Sequence, residues 1–115
     1  MELVLALFPV MFLKHFWTAI NTPRGRYLSG WMAKAIAVYE AFFYVALLLA
    51  PLGPLFLPAL AMAVIHWLGV VLYFRGVLAR YKGLAPAYAG FETAELLFLV
   101  AAALWLLVGG RYVIT

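Results

Sequence analysis

The chain has 115 residues, of which 70% are hydrophobic and 10% charged, and its formal net charge is +4. Together with a mean hydropathy of +1.11, this composition excludes an ordinary water-soluble domain, because so small a domain has too little interior to hide that much apolar surface. The absence of cysteine excludes disulfides, thiolate metal sites and iron–sulfur clusters.

Four apolar stretches follow one another along the chain, each close to the roughly 20 residues that cross a bilayer as a helix. The sequence predicts spans over 2–20, 31–50, 54–75 and 91–108. Helices are expected rather than strands, because in lipid each backbone polar group must be satisfied within its own segment. We therefore expect an all-α polytopic integral membrane protein, with a single domain over 1–115 in which four transmembrane helices form a four-helix bundle.

The basic residues indicate how this bundle is oriented. They gather around the first and third connections, over 21–30 and 76–90, as Arg24, Arg26, Lys34, Arg75, Arg80 and Lys82. The second connection, over 51–54, is uncharged. Because loops rich in Lys and Arg stay in the cytoplasm, we expect a multi-pass protein of the cell (inner) membrane with both basic loops cytoplasmic and both termini outside.

A spacing that occurs twice indicates an internal duplication. Four residues recur 51 positions further along: Met11, His15, Arg24 and Gly25 return as Met62, His66, Arg75 and Gly76. The segments 1–50 and 54–108 would then be two helical hairpins of the same orientation, forming parallel repeats about an axis along the membrane normal.

The two histidines of the chain both fall in this repeat, on the first and third predicted helices and at nearly the same depth. Axial imidazoles from two helices are typical of a b-type haem. We therefore predict haem b held by His15 and His66, with Arg24 and Arg75 near its propionates. The protein would be a small electron-transfer protein or the membrane subunit of a redox complex, with quinone as a possible partner.

A metal-ion or proton-coupled transporter is the alternative. Its nitrogen and oxygen ligands for a divalent ion such as zinc would be His15, His66, Glu40 and Glu92. Met11 and Met62 lie one turn before each histidine, which would suit copper. Glu40 would otherwise carry a proton from within the membrane.

A structural subunit without catalytic activity is the third hypothesis. Lys14 and the first basic loop would then contact anionic lipid headgroups. The sequence has no nucleophile elbow, phosphate loop or zinc-protease motif, and the i, i+3 pair Glu92 and Glu95 lacks the histidine of a diiron motif, so enzymatic activity is left open. Both glutamates are expected in the first turns of the fourth helix, near the cytoplasmic surface.

Partners are expected in the membrane. Four short helices enclose little interior, so association with copies of the chain or with other subunits is expected, besides the lipid bilayer itself. The basic residues and their aromatic neighbours suit a membrane interface better than a nucleic acid, so no nucleic-acid partner is expected.

Overall fold

The structure, a computed structural model, describes residues 2–26, 30–75 and 85–109. Four α-helices account for most of these residues: α1 Glu2–Asn21, α2 Gly30–Leu48, α3 Phe56–Phe74 and α4 Ala85–Leu104. Each helix lies in a segment that is long and apolar enough to cross a membrane. The prediction of an all-α chain with four candidate spans is confirmed at this level.

The helix ends differ from the prediction mainly at α4, which begins at Ala85 rather than at 91. Pro86 lies in the first turn of this helix, where a proline removes no intrahelical hydrogen bond, so it is compatible with a helix that begins at Ala85. Residues 85–90 of the predicted third connection are therefore helical. Residues 27–29 and 76–84 lie outside the described residues, and with them Gly76 of the repeat and the predicted loop charges Arg80 and Lys82.

The four helices pack mainly as two pairs, α1 with α4 and α2 with α3. The short turn over 49–55 joins α2 to α3 and holds them side by side. Contacts between α1 and α2 are fewer. The closest pairs are thus not the two predicted hairpins, and the duplication itself stays a prediction.

The buried interior changes character along the bundle axis. Towards the 49–55 turn it is apolar in the described part of the chain, with a core of Val4, Phe8, Met11, Phe43, Leu47, Leu52, Ala59, Ala63, Leu99, Ala102 and Leu106. Towards the other end of the bundle, the buried residues among those that the structure describes are small or polar: Thr18, Thr22, Ala33 and Ala89. Between these two regions lie the ionisable side chains described below.

The outer surface of the bundle is apolar on all four helices. Large side chains are exposed there, with Trp31 78%, Leu57 72% and Leu97 68% accessible. An apolar surface of this extent suits acyl chains rather than water, in agreement with the length and composition of the helices.

The turn between α2 and α3 is held against Trp105, the first residue after α4. Gly53 has a φ of 56°, a left-handed conformation that other residues rarely adopt. The indole of Trp105 lies against it and donates a hydrogen bond from Nε1 to the carbonyl oxygen of Pro51, at 3.1 Å. A side chain at position 53 would meet this ring, since an added Cβ would lie 2.7 Å from Cζ2 of Trp105.

We therefore expect Gly53→Ala to destabilise the protein by about 1–3 kcal/mol, because the left-handed backbone and the indole both oppose a methyl group. Thermal unfolding in a mild detergent measures this. Gly69→Ala in α3 is the matched control, since its added Cβ meets no atom within 4 Å and alanine favours a helix by about 1 kcal/mol. Equal melting temperatures for the two variants would contradict the predicted contact.

Candidate metal site in the bundle interior

Each of the four helices brings ionisable side chains to the same level of the bundle. We call this group the ionic cluster; its members are Lys14 and His15 of α1, Glu40 and Tyr44 of α2, His66 of α3, and Glu92 and Glu95 of α4. Most of these side chains are almost completely shielded from solvent. Charged groups at such depth are costly unless they are paired, which makes the cluster the candidate site of the chain.

The two imidazole rings meet at the carboxylate of Glu95. The Oε2 atom of Glu95 lies 3.0 Å from Nε2 of His15 and also 3.0 Å from Nε2 of His66. A second carboxylate oxygen, Oε2 of Glu40, lies 3.1 Å from Nε2 of His66. Two nitrogen and two oxygen donors from four helices therefore converge at one point.

The other ring nitrogen of each histidine is held by a separate partner. Nδ1 of His66 lies 2.7 Å from the carbonyl oxygen of Met62, one helical turn earlier. Because a carbonyl oxygen only accepts hydrogen bonds, this nitrogen carries the proton. Nδ1 of His15 contacts Oε2 of Glu92. A histidine that donates Nδ1–H to a carbonyl or carboxylate and turns Nε2 to a shared centre has the orientation typical of a metal ligand.

Two buried atoms at this centre make no hydrogen bond. Within the described residues, these buried side-chain atoms are Oε1 of Glu95 and Nε2 of His15, and the latter lies 3.0 Å from Oε2 of Glu95 as an ion pair without hydrogen-bond geometry. Tyr44 donates its hydroxyl hydrogen to the same Oε2 atom of Glu95 at 2.6 Å. A buried polar atom without a hydrogen bond costs about 1–3 kcal/mol. A cation placed between these donors would satisfy both atoms.

The spacing of the donors suits a single metal ion. One ligand atom from each of His15, Glu40, His66 and Glu95 can be chosen so that all four lie within 4.8 Å of one another. Zinc bonds to nitrogen and oxygen of about 2.0–2.2 Å place tetrahedral ligands roughly 3.4 Å apart. The shorter contacts of 3.0 and 3.1 Å are near this separation, and the wider ones, of up to 4.8 Å, would have to shorten around an ion.

The charges of the cluster suit the exchange of protons for one divalent cation. Glu40, Glu92 and Glu95 supply three carboxylates, and the ammonium group of Lys14 balances one of them. Both nitrogens of each imidazole face carboxylate or carbonyl oxygens, which only accept hydrogen bonds, so two imidazolium groups balance the other two carboxylates. A metal ligand must be deprotonated, and with both Nε2 protons released the described cluster would have a net charge of −2, which one divalent ion brings to zero.

The structure brings together three of the four ligands predicted for a metal, namely His15, His66 and Glu40. Glu92, the fourth, lies on the far side of the His15 ring, and Glu95 takes its place at the centre. Met11 packs in the apolar core, while Met62 contributes its carbonyl oxygen rather than its sulfur. Neither thioether belongs to the described donor set.

The predicted depth of the glutamates on α4 was wrong. Because α4 begins at Ala85, Glu92 and Glu95 lie two to three turns inside the helix and level with His15, not at its surface end. The sequence signal was their i, i+3 spacing, which places both carboxylates on one helix face.

The expectation that Lys14 contacts lipid headgroups was also wrong. Its Nζ lies 2.8 Å from Oε1 of Glu40 and 3.0 Å from Oε1 of Glu92. Sequence reasoning missed this role, and that of Tyr44, because both depend on which faces of α1, α2 and α4 meet. The only local signal was that Lys14 adjoins His15 within an apolar segment.

The predicted haem does not fit this arrangement as it stands. A porphyrin between the two imidazoles would occupy the space now filled by the carboxylates of Glu40 and Glu95, which lie 3.0–3.1 Å from Nε2 of His66. Arg24 and Arg75, the predicted propionate partners, are exposed beyond the ends of α1 and α3. Haem b stays a prediction, which the visible spectrum of the purified protein before and after dithionite tests.

Comparison with known proteins gives no family model, curated protein or solved structure that matches this chain. Its function is therefore inferred from the geometry and chemistry of the ionic cluster.

The hydroxyl of Tyr44 gives a first test of the cluster. We expect Tyr44→Phe to lower the free energy of unfolding by about 1.5–3 kcal/mol, because it removes a buried hydrogen bond to the Glu95 carboxylate. The matched control is Tyr39→Phe, which removes a partly buried bond of 2.7 Å to the carbonyl of Leu7 and should cost about 1 kcal/mol. Chemical unfolding in detergent compares them, and an equal or smaller loss at Tyr44 would contradict the cluster.

Proposed function

We propose that this protein binds a divalent transition-metal ion inside the membrane and carries it across. The observation that supports this most directly is the convergence of two imidazole Nε2 atoms, each with its Nδ1 held by an acceptor, on the carboxylate of Glu95. The proposed ligands are His15, His66, Glu40 and Glu95.

The donor set narrows the class of ion. Two imidazoles and two carboxylates suit zinc and the neighbouring divalent ions of iron, cobalt and manganese. Magnesium and calcium prefer oxygen ligands alone. Copper(I) prefers thiolates and thioethers, whereas the chain has no cysteine and Met11 packs in the core. Zinc, which tolerates a four-ligand site best, is therefore the ion to test first.

The membrane and its sidedness are part of the proposal. We place the four helices across the cell membrane with Arg24 and Arg75 on the cytoplasmic side, following the positive-inside rule. The ionic cluster then lies in the cytoplasmic half of the bundle. We also expect the chain to associate with further copies of itself or with other subunits. Quinone would be a partner only if the protein binds haem.

The interior favours access to the site from the end of the bundle that carries Arg24. His15 and Thr18 share one face of α1, and the buried Thr22 begins the short 3₁₀ turn that follows this helix towards the same end. Thr18 donates a hydrogen bond of 3.1 Å to Oε2 of Glu92, so polar groups continue from the cluster along this face. On the opposite side the described core is apolar. A site that is polar towards one side and sealed on the other is what a carrier presents in one of its two states.

Zinc should raise the thermal stability of the purified protein, because an ion that binds only the folded state stabilises it, by about 2.7 kcal/mol at 100 times the dissociation constant. We expect this shift to disappear in His66→Ala and in Glu95→Gln. Ile65→Ala, which changes an exposed neighbour on α3, should keep it. Thermal unfolding in detergent with and without zinc measures the shift, and calcium serves as the control ion.

A wild-type protein that melts at the same temperature with and without zinc, iron(II), cobalt and manganese would overturn the metal site. A shift that survives in both His66→Ala and Glu95→Gln would place binding elsewhere in the chain.

Carriage across the membrane needs its own measurement. We expect zinc to enter proteoliposomes that contain the wild-type chain and an entrapped fluorescent zinc indicator, and expect Glu95→Gln to abolish this uptake because it removes the carboxylate between the two histidines. Ile65→Ala again serves as the control. Zinc binding in detergent without any uptake would contradict carriage while leaving the binding site in place.

A further inference from the structure

The ammonium group of Lys14 shares a carboxylate with the proposed metal site. Glu40 contacts Nζ of Lys14 through Oε1, at 2.8 Å, and Nε2 of His66 through Oε2, at 3.1 Å. The Lys14 side chain is 9% exposed, so this cation is held inside the bundle. Glu40 therefore bridges a fixed ammonium on one side and the metal-ligand group on the other.

Glu92 completes a second cation position around Lys14. Its Oε1 lies 3.0 Å from Nζ, while its Oε2 faces Nδ1 of His15. Three carboxylates and two imidazoles from four helices come within one carboxylate of the donor set with which four-helix bundles hold two metal ions, which lie about 3.5–4 Å apart in two-metal sites. Here an ammonium group takes one of the two positions.

We propose that Lys14 occupies the position of a second metal ion and so restricts the site to one divalent ion. This inference rests on the proposed metal-binding function. With both imidazoles deprotonated at Nε2, as metal ligands must be, the described cluster has a charge of −2 when Lys14 is present, which one divalent ion neutralises. Without Lys14 the charge is −3, which two divalent ions neutralise together with one bridging hydroxide, formed from water by release of a proton to solvent. The residue thus decides how many ions the cluster takes, although it binds none itself.

Zinc stoichiometry tests this inference. The full-length chain is purified in detergent with zinc present, dialysed to equilibrium at fixed free zinc, and its bound zinc determined by mass spectrometry. We expect one zinc per chain for the wild type and two for Lys14→Ala and for Lys14→His, which adds a nitrogen ligand. In the two-zinc variants, X-ray absorption should show a metal–metal distance of about 3.5–4 Å.

Two variants serve as controls, and both should keep one zinc. Lys14→Arg retains the buried positive charge. Lys34→Ala removes an exposed lysine whose Nζ lies 5.7 Å from the centre of the Phe74 ring, away from the cluster.

The outcomes separate the inference from the function on which it rests. A wild type that binds no zinc overturns the proposed function. One zinc per chain in the wild type and in folded Lys14→Ala and Lys14→His overturns the role of Lys14 alone. Failure of both variants to fold with zinc present also overturns it, because a second zinc should then replace the ammonium group.

Discussion

Charged side chains that are buried together must be close to neutral as a group, because an unbalanced charge in an apolar interior costs several kcal/mol. In this bundle the constraint falls on one level, where all four helices meet. Glu40, Glu92 and Glu95 face a single ammonium group and two imidazoles. Each helix contributes to the balance, so none can rotate or shift without leaving a partner unpaired. The ionic cluster therefore sets the register of the helices as well as the chemistry of the site.

The orientation of the imidazoles follows from their outer partners. His66 is held by a carbonyl of its own helix, and His15 by a carboxylate of α4. Rings fixed in this way hold Nε2 towards the centre of the cluster, and preorganised donors of this kind would tighten binding of the proposed metal ion. Tyr44 adds to the same effect, since its hydroxyl bonds one oxygen of Glu95 and its ring stacks on His66, with centroids 4.6 Å apart.

The interior on the two sides of the ionic cluster differs in composition. Large apolar side chains such as Phe8, Phe43 and Leu99 pack closely below it and keep water away, which strengthens each electrostatic contact. Within the described residues, the buried groups on the other side are threonines and alanines. The cluster therefore has an apolar region on one side and small or polar groups on the other.

The local sequence by itself determined where the helices lie and which rare polar side chains are candidates for a site. The apolar stretches alone predict four spans, because a helix in lipid needs only length and hydropathy, and the scarcity of polar residues points to His15, His66 and Glu40. Tertiary structure alone decided which of these groups meet. Helix pairing brings Lys14 to Glu40 and Glu95 between the histidines, and these contacts join residues far apart in the chain. Apolar faces of nearly uniform hydropathy do not reveal which side of a helix turns inward, so the charge balance of the assembled bundle makes that choice.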